Sequence, residues 1–341
     1  MSQVSIKDVA RIAGVSIATV SRCINEPQRV RPATRKLVQK AIDETGYSPN
    51  TLAQSFRRGK TQVIMVVLPS VGDPFFTEVM AGIREVASER GYSLLINETQ
   101  FNTMTADEIG AMVVSRQADG IALLASMSPF GTRVLSSSSQ RALPIVIGCE
   151  TISEDLSSFP GIHIDNIGAA KEATNHLLEL GHERIAFIYG EHITLLTQDR
   201  ENGYREAMDE AGKSIDSGWV VAGRLTIDGA IAATKKLLEH PKRPTAIFCA
   251  NDEMAMGCLH AIQSAGLQVP GDISVMGFDD NRYAKTTNPP LTTVAQPAKS
   301  IGMKVMQRLL HEIEHGRSRD SAPEIVPHLL SLIHISEPTR H

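Results

Sequence analysis

Asp73, Ser126, Cys149, Asn251 and Asp279 share one kind of place in the chain: each stands directly behind, or a few residues beyond, an apolar run of strand length. Arg200 opens an amphipathic stretch, in Asp199-Arg200-Glu201-Asn202-Gly203-Tyr204. Polar groups at the carboxyl ends of parallel strands converge on a crevice, which is where open α/β sheets hold ligands. A carboxylate such as Asp279 accepts two hydrogen bonds from the vicinal hydroxyls of a sugar or ribose. The rings of Phe75 and Phe76, behind Asp73-Pro74, can stack on a base or a sugar face. Taken singly, each polar group has an alternative as a helix cap or a salt bridge between lobes. The two phenylalanines have one as core, and Asp252 reads as a helix N-cap before it reads as a contact. The chemistry on offer is binding. There is no G-x-G-x-x-G, P-loop or G-x-S-x-G string, and the eleven histidines lack metal-ligand spacing. No nucleophile–base constellation is visible, so we expect no enzyme, no cofactor and no metal.

A second set of candidates lies in the first sixty residues, which hold eleven Lys/Arg against four acids, a net charge of +7, while the remainder carries −11. A basic head on an acidic body suggests a polyanion-binding module joined to another domain. Ser5 and Asp8 make a capping-box-like start, and Ile6, Val9, Ala10 and Ala13 follow at helical spacing. Gly14 supplies a turn. Ser16 can cap a second helix over 17–24, with Val20 and Ile24 buried. Pro32 starts a third helix that runs to about Thr45, with Leu37, Val38, Ala41 and Ile42 inward and Gly46 as its stop. Two short helices around a Gly-Val-Ser turn, braced by a third, describe a helix-turn-helix. The exposed side of the second helix carries Ile17, Ala18, Ser21 and Arg22; an arginine there can reach guanine O6 and N7, and small apolar groups suit a thymine methyl. Pro49, then Leu52, Ala53 and Phe56 on one face, then Gly59, mark a short helix over 49–60.

From residue 61 the pattern changes to repeated βα units. Strand-like runs at 63–68, 93–96, 121–124 and 144–147 form one series, and 162–164, 185–189, 219–221, 246–249 and 273–278 form a second. Helical stretches at 75–88, 106–116, 169–180, 204–211, 230–238 and 253–265 fall among them. Such alternation gives parallel sheets covered on both faces, here two doubly wound lobes. The expected architecture is thus an all-α helix-turn-helix head on an α/β two-lobe body.

The strings Ile6-Lys7-Asp8-Val9-Ala10, Ala13-Gly14-Val15-Ser16, Thr19-Val20-Ser21-Arg22 and Gly46-Tyr47-Ser48-Pro49-Asn50 resemble the DNA-binding head and hinge entry of the lactose-repressor (LacI/GalR) family. The resemblance continues through nearly the whole chain. It implies a periplasmic-binding-protein-like body, and a transcriptional regulator, usually a repressor, that binds a palindromic operator as a homodimer. By the resemblance, residues 1–48 are the DNA-binding domain, 49–60 the hinge helix and 61–330 the effector-binding and dimerisation domain. Within the last, the N-lobe is 61–160 and 293–325, and the C-lobe 161–292. DNA contacts are implied at Ser16, Ile17, Ala18, Thr19, Ser21, Arg22 and Asn25, and, in the hinge, at Asn50, Ala53 and Phe56. Many relatives have Leu where this chain has Phe56, a wedge type of side chain whose alternative is to pack on the partner hinge. Effector contacts are implied at Asp73, Phe75, Phe76, Ser126, Cys149, Thr194, Arg200, Leu225, Asn251 and Asp279. The effector class is a nucleoside or a sugar, and its binding shifts lobe closure and hence the hinge. Thr194 stands where purine-binding relatives carry an extra Arg, which disfavours a free base.

At 341 residues and 42% hydrophobic content the chain can fill more than one core. It contains no run of about 18 apolar residues that could span a membrane. Its start shows no export-signal pattern, and Cys23, Cys149, Cys249 and Cys258 form no C-x-x-C pair, so a reduced cytoplasm is the expected home. A transport binding protein or a sugar-processing enzyme on the same lobes is the alternative; residues 1–60 argue against the first, and the missing catalytic set against the second. No heptad tail follows the body, which favours a dimer over a coiled-coil tetramer. Residues 331–341 depart from the family pattern and read as a non-native tail.

Overall fold

A computed structural model of the chain describes residues 4–47, 60–99, 117–125, 144–150, 156–190, 194–316 and 322–331. The chain divides into two units, 1–61 and 62–341. The first is built from α1 (Ile6–Ala13), α2 (Ile17–Asn25) and α3 (Pro32–Thr45), with a 3-10 turn at Pro27–Arg29. The expected end signals operate. Ser5 donates from its amide and its hydroxyl to the Asp8 carboxylate, at 3.0 and 2.7 Å. Gly14 and Gly46 close α1 and α3 at φ 64° and 63°, a left-handed turn that glycine adopts without a Cβ clash. Ser16 Oγ accepts from the amide of Thr19 at 3.1 Å and starts α2. Val9, Ala10, Val20, Cys23, Val38 and Ala41 make the core of this unit. Leu37, expected to face inward, is instead 56% exposed. At about 100° per residue the buried stripe of α3 passes through Val38 and Ala41, and Leu37 falls outside it. On α2 the second buried position is Cys23, with Ile24 half-buried beside it.

Among the described residues, the second unit holds two six-stranded sheets. In the first, β1 (Val63–Leu68), β2 (Ser93–Glu98), β3 (Gly120–Leu123), β4 (Ile145–Gly148) and β5 (Gly161–His163) are joined by the late strand β11 (Glu324–Ile325), in the order β11-β5-β4-β3-β1-β2. In the second, β6 (Ile185–Tyr189), β7 (Val220–Ala222), β8 (Ala246–Cys249), β9 (Ser274–Asp279), β10 (Thr292–Ala295) and β12 (Leu329–Ser331) run in the order β12-β10-β9-β8-β6-β7. Every pairing is parallel except β10 with β12. The strand order reverses between β1 and β3 and again between β6 and β8, so each sheet has a switch point at which a crevice opens beyond the strand ends.

Two strands stand on the other side of the expected lobe division. The run at 162–164, read as opening the second series, pairs with β4 in the first sheet. Residues 293–295, placed with the N-lobe, pair with β9 in the second. Periodicity records that a strand exists and is silent about its partner, which is fixed by contacts distant in sequence. Ser331, placed in the excluded tail, pairs with Thr293; residues 332–341 lie outside the described residues.

Among the described residues, the α-helices of this unit are α4 (Pro74–Glu89), α5 (Asn166–Glu179), α6 (Leu195–Glu210), α7 (Ile227–Leu238), α8 (Asp252–Ser264) and α9 (Ala298–His315). Helix α9 was not among the expected stretches. It lies against α4 at a close crossing made by glycines: a Cβ on Gly302 would strike the carbonyl of Val79, and one on Gly82 the carbonyl of Lys299. Among the described residues no helix is long and apolar enough to cross a membrane. The expected stretch 106–116 lies outside the described residues.

Candidate functional site

The two units carry separate sites. On α2, Ile17, Ala18 and Arg22 are exposed, and Thr19 and Ser21 are half-buried. Ser16 is spent as a cap, and Asn25 turns back on its own helix, with Nδ2 donating to the Ser21 carbonyl at 2.8 Å. Ile17 is 45% exposed, high for a large apolar side chain at a helix N-terminus. The outward face of α2 thus holds the residue types that read base edges in a major groove, with the N-terminal turn leading. Asn50, Ala53 and Phe56 lie outside the described residues.

In the body, the strand-end groups gather around Arg200. Helix α6 presents its guanidinium at 3% exposure, stacked 3.6 Å from the centroid of the Phe278 ring. Its Nη1 donates to the Ala250 carbonyl at 2.5 Å and lies 3.7 Å from Asp279 Oδ1; its Nε donates to Asn166 Oδ1 at 3.1 Å. Asp279 ends β9 at φ 119°, and its Oδ1 accepts from Gln296 Nε2 at 2.6 Å. Burial drives its carboxyl well above the usual range, against the pull of Arg200. Asp73 caps α4, accepting from the Phe75 amide at 2.8 Å; burial raises its pKa, while that bond and the field of Arg200 lower it. Cys149 lies just past β4 at φ 71°, and burial, then Glu150, Asp279 and Asp73, hold it as a neutral thiol. A field that runs from Asp73 and Cys149 to Arg200 and Asp279 links the strand ends of both sheets.

The remaining expected contacts divide. Asn251 caps α8, its Oδ1 accepting from the Met254 amide at 2.9 Å. Asp252, expected as the cap, is instead fully buried behind it, accepting from Thr293 Oγ1 at 2.6 Å and the Asn281 amide at 2.7 Å, with its pKa raised to about 7, chiefly by burial. Phe75 and Phe76 are each 7% exposed and pack edge-to-face, 5.2 Å between centroids, within the main core. Thr194 precedes α6 and donates to Thr197 Oγ1 at 2.8 Å. Leu225 sits at φ 55° and leans over Gly190, where a Cβ would meet its side chain. Ser126 lies outside the described residues.

Sequence reading missed Glu150, Asn166 and Gln296. Glu150 directly follows Cys149, is 4% exposed, and is raised to about 7 by burial against the opposing field of Arg200. Each of the three stands within three residues of a strand end, which is the signal that could have found them.

Residues 5–50 match the bacterial regulatory proteins of the lacI family, and residues 174–331 match the periplasmic binding protein-like domain. Over 310 residues the chain is 37% identical to the HTH-type transcriptional repressor CytR of Escherichia coli (strain K12), covering 91% of this chain and 90% of that one. The chain belongs to the LacI family. The ribose operon repressor of the same strain is 34% identical over 330 residues, covering 96% of this chain and 98% of the relative. The structure of the Lac repressor dimer bound to operator and the anti-inducer ONPF superposes with a TM-score of 0.83 at 25% identity, covering 96% of this chain and 98% of that one. The protein is therefore a LacI-family transcriptional regulator and not an enzyme, and both halves of the expected architecture stand.

Proposed function

We propose that this LacI-family protein is a repressor that binds a palindromic operator as a homodimer, one half-site per α2, and that a polyhydroxylated metabolite held beside Arg200 and Asp279 controls its affinity for DNA. The observation that carries the reading is the convergence of half-buried Asp73 and buried Cys149 and Asp279, from strand ends of both sheets, on the buried Arg200 of α6, in a chain that also presents the outward face of α2. Arg200 and Asp279 together offer donors and acceptors for hydroxyls, the chemistry of a sugar or of the ribose of a nucleoside. Kinship with a ribose operon repressor supports the same ligand chemistry. The metabolite acts only through a difference in its affinity for two states of the protein.

The test is fluorescence anisotropy of the full chain on inverted-repeat duplexes drawn from the region upstream of its own gene, against random DNA, with and without nucleosides and sugars. The reading expects a preference for one inverted repeat, a steep loss of affinity with salt, and a change in affinity on adding one of the compounds. Equal affinity for all duplexes under every condition sinks it.

A further inference from the structure

Among the described residues, six buried side-chain atoms lack a hydrogen-bond partner, and three of them surround one ion pair. Asn166, which accepts from Arg200, has an unpaired Nδ2; Gln296, which donates to Asp279, has an unpaired Oε1; and Glu150, which lies in the field of Arg200, has an unpaired Oε2. Folded proteins keep few such atoms, so three together at the strand ends mark bonding capacity kept for a ligand. Glu150 is the one acid of the three. We infer that Glu150 sets the charge class of the effector: its unpaired carboxyl oxygen takes a hydrogen bond from a hydroxyl or amine of an uncharged ligand, and its charge when ionised turns away a phosphorylated one.

The inference rests on the reading of this cleft as the effector site and adds the charge class to it. Arg200 is the one cation among the described residues whose field reaches Asp73, Cys149, Glu150 and Asp279 alike. It is already engaged by a carboxylate, a backbone carbonyl, the Asn166 side chain and the Phe278 ring. A phosphate entering here would meet the Glu150 carboxyl and, among the described residues whose fields reach it, no cation that is not already engaged. Among the described residues, the charged groups that act on Glu150 are Arg200 and Asp199 from α6, with Cys149 beside it in the chain and Asp73 and Asp279 acting on that thiol.

Isothermal titration of the full chain tests this with cytidine, ribose, cytidine 5′-monophosphate and ribose 5-phosphate. An uncharged probe should bind about 100-fold more tightly than its phosphate, as like charges in contact are strongly disfavoured. That same probe should bind about tenfold more tightly at pH 8 than at pH 6, because a donor on the ligand favours the ionised form of a carboxyl that titrates near 7. Glu150→Gln keeps the shape, and should abolish the pH gain and shrink the discrimination against phosphate. Asp252 and Asp279 remain in that variant, so the difference reports Glu150 alone. The ligand-free Glu150→Gln protein should melt at pH 8 no lower than the parent; a lower melting temperature would make Glu150 a structural partner and overturn the inference. An uncharged probe bound equally by both proteins, or a phosphate preferred by the parent, overturns it while leaving the cleft as the effector site. Failure of both uncharged probes to bind overturns the inference together with the reading beneath it.

Discussion

Arg200→Met should cost the body about 3–5 kcal/mol at neutral pH, the usual penalty for removing one partner of a buried ion pair. Methionine preserves length and apolar volume, so the loss isolates the charge and its hydrogen bonds. Two donated bonds disappear, to Ala250 O and Asn166 Oδ1; bonds from a charged donor contribute about 1.5–3 kcal/mol each. Removing the guanidinium also removes its own desolvation penalty, which keeps the total near the stated range rather than above it. Asp279 and Glu150 then lose the cation that opposes the effect of burial on both. Their folded pKa values, already above the ordinary 3.8 and 4.5, move further up. A carboxyl raised in the folded state binds more protons there than in the unfolded chain. Stability is therefore full below the unfolded pKa and is lost as pH rises towards the folded one, by about 1.4 kcal/mol per pH unit for a single group. The deficit relative to the parent should accordingly be larger at pH 8 than at pH 5. Calorimetric melting of parent and variant at both pH values reads it, as a shift on the order of 10 °C at pH 8. A deficit below about 1 kcal/mol, or one that does not change with pH, would refute the account of Arg200 as the cation that holds this cleft together.

Arg22→Ala should lower operator affinity by about 1–3 kcal/mol and relax the preference at one base pair, read by anisotropy on single-substitution operators; an equal loss on all sequences would make Arg22 a phosphate contact. Asp279→Ala should keep operator binding and lose the response to effector, and an unchanged response would remove Asp279 from the site. Gly302→Ala should destabilise the body by about 1–3 kcal/mol or more, because the new methyl strikes the Val79 carbonyl and α9 must move away from α4; wild-type melting would show that the crossing gives way freely. Leu37→Ser should change stability by no more than about 0.5 kcal/mol, while its neighbour Val38→Ala costs about 1 kcal/mol or more; equal losses by thermal melting would return Leu37 to the core.

Local signals carried much of this fold and long-range ones did not. The strands at 63–68, 185–189 and 246–249 stand where the sequence placed them, because strands buried on both faces are written as continuous apolar runs. The caps at Ser5, Ser16, Gly14 and Gly46 were legible because each is a residue type tied to one backbone geometry. Helix α6 begins nine residues before the expected 204, since residues 197–202 after the opening Leu195-Leu196 are polar and its start is capped by no side-chain bond. Helix α9 was missed although Ile301, Val305, Met306 and Leu309 recur along its buried face; Pro297 at its cap makes no side-chain bond, so no start signal preceded the pattern. Glu150 stands two residues past β4, but its residue type does not distinguish a buried glutamate from a solvated one. Its burial comes from elements distant in sequence, as does the sheet to which 161–163 and 292–295 belong.

The same distance in sequence explains how a small molecule could govern this protein. Arg200 on α6 is held by Asn166 at the head of α5, by Ala250 behind β8 and by Asp279 at the end of β9, and its field reaches Asp73 at the head of α4 and Glu150 behind β4. The first three belong with the second sheet, and the last two with the first. Pulling the sheets apart would expose those carboxylates to water and relieve the burial that raises them; bringing them together leaves Glu150 Oε2, Asn166 Nδ2 and Gln296 Oε1 without partners. Each buried atom left unpaired costs about 1–3 kcal/mol. A ligand that pairs two of them favours the gathered arrangement by about 2–6 kcal/mol over the separated one, where water would serve those atoms instead. A shift of about 5.5 kcal/mol takes a two-state equilibrium from 1:99 to 99:1, so on the proposed reading a ligand that pairs all three atoms supplies a difference of the size that such a switch needs.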